Sequence, residues 1–545
     1  MSTTSPTGPD DAAGGSGALR RVGAWLLGPG AWVVVGLLLL WSVFLRTRNL
    51  DAPFWIDEAI SVGVADRPFL DIPAALQLDG NPPVYYLLLN VWIALFGTTE
   101  TAVHTLSTVF AVATVPVGFL MARKPFGTRA ALGTAAIAAT LPYLTYFGQE
   151  TRMYSMVAFL SVLVAGLHLR VFERGAVGAR IGLAVTLAVL LYTHSWGVFL
   201  VGGSVFAVAL RVLLQPDRVA RMRVFRIGFL IHLFAALCWL PWIPTLLQQA
   251  SETGAPWSVR PTFEMMLTGL GSLAVSQIAA AAFTAALLFG AAIMASAARG
   301  RIQVPGVPTP AEAAVIRNHV AVLALMLAVT LLFAWCTSLV NPAWASRYMG
   351  VLVGPVVLLG GVLLTHSGRT GLVVLVILVG AWGISTQGDR LHNKGTAQTM
   401  AVSAASELRT GDLVVSVQPE QLPVIAYSLE RAGAPDGLRY ATAIGAQEDV
   451  RLLDWRNVLD RFRAATPRVV IDRLLAEQAA GSRVLLVLPV TSTGNWQAPW
   501  TSLVADRTRA WRTILQADPR LRLIGRRPVS GPGRGVFGVL FEVQR

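Results

Sequence analysis

The sequence predicts a mostly helical, polytopic membrane protein: a bundle of about eleven transmembrane helices with external interfacial helices, followed by a C-terminal extracytoplasmic α/β domain. Three observations predict it. Hydrophobic residues make up 54% of the 545-residue chain and charged residues 14%, against about 45–50% and about 25% in soluble domains. The apolar residues gather into runs of membrane length across the first 387 positions, and about 20 such residues cross a bilayer. Beyond residue 388 the runs shorten to strand length (DLVVSV, RVLLVLPV, GVFGVLFEV) and alternate with Arg-rich amphipathic stretches such as 451 to 464.

Taken in order, residues 1–24 are expected to be a disordered cytoplasmic tail, because residues 1–19 are small, polar and Gly-rich and carry no positive segment of the kind that opens a cleaved signal. Spans are expected near 25–45, 101–122, 130–147, 153–171, 181–195, 197–214, 227–247, 265–297, 319–340, 350–366 and 371–387. Their orientation follows from Lys and Arg in the short connections. Seventeen fall on one side, from Arg20 and Arg21 through the five arginines between Arg211 and Arg226 to Arg369, while the opposite loops carry six (Arg46, Arg48, Arg67, Arg152, Arg260, Arg347) together with ten acidic residues. The N-terminus is therefore expected in the cytoplasm and the acid-rich loops outside, in a plasma-membrane protein. Residues 82 to 97 are apolar too, but a span there would invert every later loop. They are expected to lie as an interfacial helix at the outer surface, started by Pro82 and Pro83 and carrying Tyr85, Tyr86 and Trp92 at headgroup level. The transmembrane catalytic domain then runs from 25 to 387 and the external domain from 388 to 545.

Net charge is +14, yet the basic residues divide evenly between the two halves, and no dense stripe tracks phosphates over many nucleotides. Nucleic acid is set aside as a partner. Cys238 and Cys336 sit in different apolar runs, which gives neither a disulfide framework nor a Cys-based zinc spacing.

The external loops hold the residues that carry chemistry. In NLDAPFWIDEAISVG, Asp57 and Glu58 follow Trp55; a carboxylate near an apolar surface can take a proton from a hydroxyl while its neighbour orients the nucleophile. A solvated acidic loop is the plain alternative. In LPYLTYFGQETRMYS, Gln149, Glu150, Arg152 and Tyr154 lie where a helix re-enters lipid, a costly depth for charges unless they are paired or face a wet cavity. A structural Glu150–Arg152 pair would explain them as well. His194 in LLYTHSWG can donate to a phosphate or a sugar hydroxyl, and Arg347 with Tyr348 in NPAWASRYMG offers a planar, always-charged donor to a phosphate diester; helix-end anchoring is the plain reading of both. All four clusters fall on the same side. Carboxylates, arginines and aromatics around one outer cavity suit transfer of a sugar from a lipid-phosphate donor.

Trp55-x-Asp57-Glu58, GNPPVYYLLL at 80–89, FGQETRMY at 147–154, YTHSWG at 192–197 and SRY at 346–348, in this order, resemble the polyprenyl-phosphate-dependent GT-C glycosyltransferases. The match is to the glycosyltransferase 39-like branch related to protein O-mannosyltransferases and lipid A aminoarabinose transferases, over roughly residues 25 to 390. The resemblance implies inverting transfer from a polyprenyl-phosphate sugar at the outer leaflet. It implies Asp57 as general base, Glu58 beside it orienting acceptor or base, and Arg347 with Arg152 and Tyr348 on the leaving phosphate. Glu150 would fix Arg152 or contact the sugar, with Gln149, Tyr154, His194 and Trp55 around the substrate and Tyr85 and Tyr86 near the lipid-phosphate entrance. Many relatives have His where this chain has Asn81, which removes a titrating group there. No cofactor is assigned and no divalent metal is required. Arginine outnumbers lysine 42 to 2, a composition typical of high-GC actinobacteria, whose envelopes contain mannans and arabinans; since relatives with this DE and QExRxY set are commonly mannosyltransferases, the resemblance implies mannose as the donor sugar first and arabinofuranose second. The acceptor is left open among glycolipid, polysaccharide and protein.

A polyprenyl-lipid flippase or sugar transporter would also be polytopic and basic inside, but its site should lie near the midplane on broken helices of an internal repeat. The sequence has no such repeat, and its acids sit at one edge. An inactive scaffold whose external domain binds envelope polymers is the third possibility; Trp455, Trp496 and Trp500 would stack on sugars there or form its core.

Overall fold

The computed structural model describes residues 25, 27–274, 276–304, 309–491, 496–527 and 535–544, so the expected tail at 1–24 lies outside the described residues. The chain is a multi-pass membrane protein. Apolar helices stand at Gly30–Arg46, Glu100–Thr140, Tyr154–Arg170, Val177–Leu191, Gly197–Leu213, Arg218–Trp239, Gln277–Ala298, Pro310–Val340, Val353–His366 and Gly368–Gly383. Glu100–Thr140 covers two expected spans, because Gly127 at φ 82° interrupts the helical backbone within it.

Every residue of Val353–His366 is buried, and this helix is the pillar around which Glu100–Thr140, Tyr154–Arg170 and Gln277–Ala298 pack. Small residues set the approach. A Cβ on Gly361 would stand 2.0 Å from Thr134 Oγ1, and one on Gly133 would stand 2.6 Å from Thr365 Cγ2, the close backbone contact by which membrane helices gain packing without a hydrophobic driving force between them. The outer helices turn large apolar side chains away from the protein, among them Leu40 and Phe44 of the first.

Three expectations are corrected. The run at 265–297 is broken: Phe263–Leu267 and Gly271–Ala274 are short turns, and the long helix starts at Gln277, where Ser276 Oγ accepts from the Ala279 N–H at 3.3 Å. Arg46, counted among the loop cations, is wholly buried and donates to the carbonyls of Ala111, Ala138 and Ala139. Residues 82–97 do form a short helix, Val84–Phe96, only about 20 Å long at 1.5 Å per residue and so too short to span. Its tyrosines are buried in protein, however, not placed at headgroup level: Tyr85 and Tyr86 face Ile56–Ala65 and Glu100–Thr140, because that is the side on which the helix packs.

Beyond the last span the chain forms strands β1 (Leu413–Ser416), β2 (Arg439–Thr442), β3 (Gly445–Ala446), β4 (Arg483–Pro489), β5 (Leu521–Arg527) and β6 (Val536–Val543), in the order β3-β2-β1-β4-β6-β5. β1 runs parallel to β2 and β4, and the other pairs are antiparallel. Strand alternation sends neighbouring side chains to opposite faces. Leu413, Val415, Leu486, Leu488 and Phe541 bury against Val458–Ala464, Pro467–Ala476 and Pro499–Ala517. Val414, Leu485, Val487 and Leu540 instead belong to one apolar core that continues into the helical bundle. The α/β unit is therefore fused to the bundle, with Trp455 N–H on Leu78 O at 2.9 Å, Asn457 N–H on Glu252 O at 2.7 Å and Tyr427 stacked 4.7 Å from Phe54. The amphipathic stretch at 451–464 is helical only from Val458; the preceding loop carries Trp455 to the junction.

Candidate active site

A cavity of about 370 Å³ lies at this junction. The bundle side contributes Trp55, Asp57, Asn81, Arg152, His194, Arg347 and Tyr348, all named from the sequence, together with Asp79 and Gln249. The α/β side contributes Gln418, Glu420, Trp455 and Thr501.

Asp57 is the second residue of the helix Ile56–Ala65, and its half-buried carboxylate stands 3.9 Å from Arg347 Nε. Its neighbour points elsewhere. Adjacent helical residues are turned by about 100°, and Glu58 enters a saturated network: Oε1 accepts from His104 Nε2 at 2.7 Å and the Thr151 N–H at 2.9 Å, while Oε2 accepts from Lys394 Nζ at 2.5 Å and the Trp55 N–H at 2.8 Å. Burial alone would raise its pKa, but Lys394 and His104 hold it well below the usual carboxylate range. Glu58 thus cannot orient an acceptor beside Asp57; it fixes the turn that presents Asp57.

Arg152 is buried and held by neutral oxygens: Tyr86 Oη and Ser61 Oγ at 3.1 Å, Asp57 O at 3.3 Å and Tyr154 Oη at 3.5 Å. Among the described residues no carboxylate forms a salt bridge with it, and its Nε has no partner. The expected Glu150–Arg152 side-chain pair is absent. Glu150 Oε2 is buried without a partner, and burial, reinforced by the charges of Glu58 and Asp57, raises its pKa. Gln149 is turned inward as well, accepting from Asn49 and donating to Thr145 O at 2.7 Å. Tyr154 and Tyr86 back Arg152 from behind, and Tyr85 pairs with Ser107 at 3.1 Å. These five residues build the site's support rather than its surface, a correction to the substrate contacts expected of them.

Arg347 lies on the 3₁₀ turn Ser346–Leu352, whose position is fixed by Tyr143 Oη donating to Arg347 O at 2.6 Å. Its Nε also lacks a partner. Tyr348 sits 4.9 Å from the His194 ring and 5.2 Å from Trp196. His194 Nδ1 accepts the Trp196 N–H at 3.0 Å, and burial with the two arginines holds its pKa down to about 3. The ring is neutral and keeps its proton on Nε2, available as a donor.

Sequence reading missed Asp79, Gln249, Lys394 and, on the α/β wall, Gln418, Glu420 and Thr501, while Trp455 was weighed only as sugar platform or core. Asn81 Nδ2 donates to Asp79 Oδ2 at 2.6 Å, so the amide in place of a histidine steadies a second cavity carboxyl, which burial pushes up. The turn needs Gly80, at φ 92° and with Thr253 Oγ1 only 2.9 Å from where a Cβ would stand. Lys394 carried one weak signal, being one of two lysines in the chain. Among the described residues no group of three His, Cys, Asp or Glu is placed to hold a metal ion.

No family model and no curated protein matches the sequence. Among solved structures, ArnT from Cupriavidus metallidurans in the apo state is similar at a TM-score of 0.59 and 13% identity, over 94% of this chain and 98% of that one. ArnT bound to undecaprenyl phosphate is similar at 0.59 and 12%, with the same coverage. The likeness is one of fold.

Proposed function

We propose that this protein is an inverting glycosyltransferase, moving a sugar from a polyprenyl-phosphate donor to an acceptor hydroxyl on the outer face of the cytoplasmic membrane. The observation that carries the reading is the pair of arginines in the cavity: Arg152 has only neutral partners, Arg347 has an unpartnered Nε, and the nearest carboxylate, Asp57, is 3.9 Å from Arg347. A buried cation with no ion-pair partner, such as Arg152, is costly, and a phosphate diester between the two guanidinium groups supplies that charge in the geometry they favour. That ArnT has been seen with undecaprenyl phosphate on the same fold supports a polyprenyl-phosphate partner.

In the proposed reaction Asp57 takes the proton of the acceptor hydroxyl as its oxygen bonds to the anomeric carbon. The bond from that carbon to the phosphate oxygen breaks, and the added negative charge on the leaving polyprenyl phosphate meets Arg152, Arg347 and the Nε2–H of His194. Such charge stabilisation is strongest in a site closed from water, and the fused α/β wall supplies the cover. The cavity is walled by loops at one end of the bundle, which favours transfer over transport through a midplane site. The N-terminus is assigned to the cytoplasm, the cavity and residues 388–545 to the outside, from the Arg-rich connections at the opposite end.

For the sugar we infer mannose first and arabinofuranose second, with a glycolipid, polysaccharide or protein as acceptor. The test is to incubate purified protein with a panel of radiolabelled polyprenyl-phosphate sugars and a membrane glycolipid extract. Consumption of one donor with label in a new glycoside is the expected result; no donor consumed overturns the reading.

A further inference from the structure

The cavity has two chemically different walls. On the bundle side Arg152, Arg347 and His194 present N–H donors. The other unpartnered buried polar atoms of the lining are acceptors, Gln249 Oε1 from the bundle's helix Ile243–Glu252 and Glu420 Oε2 from the α/β region, on side chains more than nine-tenths buried. Their remaining atoms are tied down. Gln249 Nε2 donates to Leu76 O at 2.9 Å, and Glu420 Oε1 accepts from Trp500 Nε1 at 2.8 Å and Gln418 Nε2 at 2.6 Å. Each bond orients its side chain and leaves one oxygen for whatever fills the cavity. A buried acceptor without a donor is destabilising, so this wall is built for a ligand that brings its own hydrogens.

Indole rings complete it. Trp257 and Trp455 line the cavity edge to face, with centroids 4.7 Å apart. Trp455 packs in turn on Trp500, which is fully buried and holds Glu420. Flat apolar faces next to fixed hydrogen-bond acceptors match a sugar ring, which offers C–H faces for stacking and hydroxyls around its edge. A peptide would call for a strip of alternating backbone donors and acceptors. Asp57 lies between the walls: it faces Arg347 on one side, and on the other its charge adds to burial in raising the Glu420 carboxyl.

We propose that Glu420, Gln249 and the Trp257–Trp455 pair form the acceptor subsite, and that the acceptor is a carbohydrate stacked on the indoles with its hydroxyls donating to the two free oxygens. The inference rests on the transferase reading for what is transferred, but acceptor binding is measurable without turnover. The acceptor is then selected at the junction, by Glu420 and Trp455 of the α/β region together with Gln249 and Trp257 from the bundle side.

The test titrates the full-length protein in detergent, by calorimetry, with α-linked mannobiose, α-linked arabinofuranobiose and a Ser/Thr-rich peptide, and separately with undecaprenyl phosphate. A disaccharide should bind and the peptide should not. Glu420→Gln, which keeps an acceptor for Trp500, should weaken disaccharide binding at least fivefold and Trp257→Ala at least tenfold, with undecaprenyl phosphate affinity unchanged in both. Disaccharide affinity unaltered in both variants, no disaccharide binding to the wild type, or peptide binding in its place would overturn the proposal. Failure of the wild type to bind undecaprenyl phosphate would instead overturn the transferase reading, while the disaccharide arm still decides the subsite.

Discussion

Lys394→Met removes one of two charges sealed between the bundle and the α/β region. Lys394 Nζ lies 2.5 Å from Glu58 Oε2, with the two side chains 3% and 0% exposed. Removing one partner of a buried pair costs about 3–5 kcal/mol, because the other charge is left buried. Glu58 keeps His104 and two backbone N–H groups, which places the loss near the lower bound, about 3 kcal/mol. The assay is thermal unfolding of the purified protein in detergent, where a loss of that size lowers Tm by several degrees. Glu58→Gln added to Lys394→Met removes both charges and should recover part of the loss. The pH dependence follows from the depressed Glu58 pKa. Its stabilisation is full above the unfolded carboxyl value of about 4.3 and fades as pH falls below it, so acidification should cost the wild type more than Lys394→Met. An unchanged Tm in the single variant, or a double variant less stable than the single, would refute the reasoning.

Asp57→Asn should lower transfer by about 10²–10⁴, the usual contribution of a general base, with expression and donor affinity unchanged; full activity in the purified variant removes the assignment. Gly361→Val brings a Cβ to 2.0 Å from Thr134 Oγ1, and since the neighbours are helix backbone with little room to yield, a large fall in Tm and in folded yield is expected. Glu150→Gln should stabilise. A carboxyl whose folded pKa is raised contributes stability only below its unfolded value and loses it as pH rises, so the Tm advantage of the variant should widen from pH 6 to pH 9, and a constant difference would count against a buried, unpaired carboxyl there.

Much of this architecture was legible in the chain. Apolar run length marks membrane spans because lipid leaves helices few alternatives, and the observed helices overlap each expected span, shifting mostly where Gly or Ser resets a start, as at Gln277. Convergence of Trp55, Asp57, Asn81, Arg152, His194, Arg347 and Tyr348 on one cavity followed from placing them all on one side. What could not be read was the direction of each side chain. Asp57 and Glu58 are adjacent and chemically alike, yet one faces the cavity and the other a lysine 336 positions away. Glu150 and Arg152 look like a pair in sequence, but Arg152 is taken by Tyr86 and Ser61. Trp455, weighed as core or sugar platform, turns out to line the cavity, while Trp500 is core; only the docking of the α/β region decides between them. Strand β5, LRLIGRR, was invisible because its arginines break the apolar alternation that marked β4 and β6.

The most direct measurement is the affinity of purified protein for undecaprenyl phosphate, compared with Arg347→Ala and Arg152→Ala. Loss of a guanidinium facing a buried phosphate is worth about 2–5 kcal/mol, so each variant should bind at least about thirtyfold more weakly and retain its overall fold by circular dichroism. Equal affinity in wild type and both variants would mean that these arginines do not receive the lipid-linked phosphate.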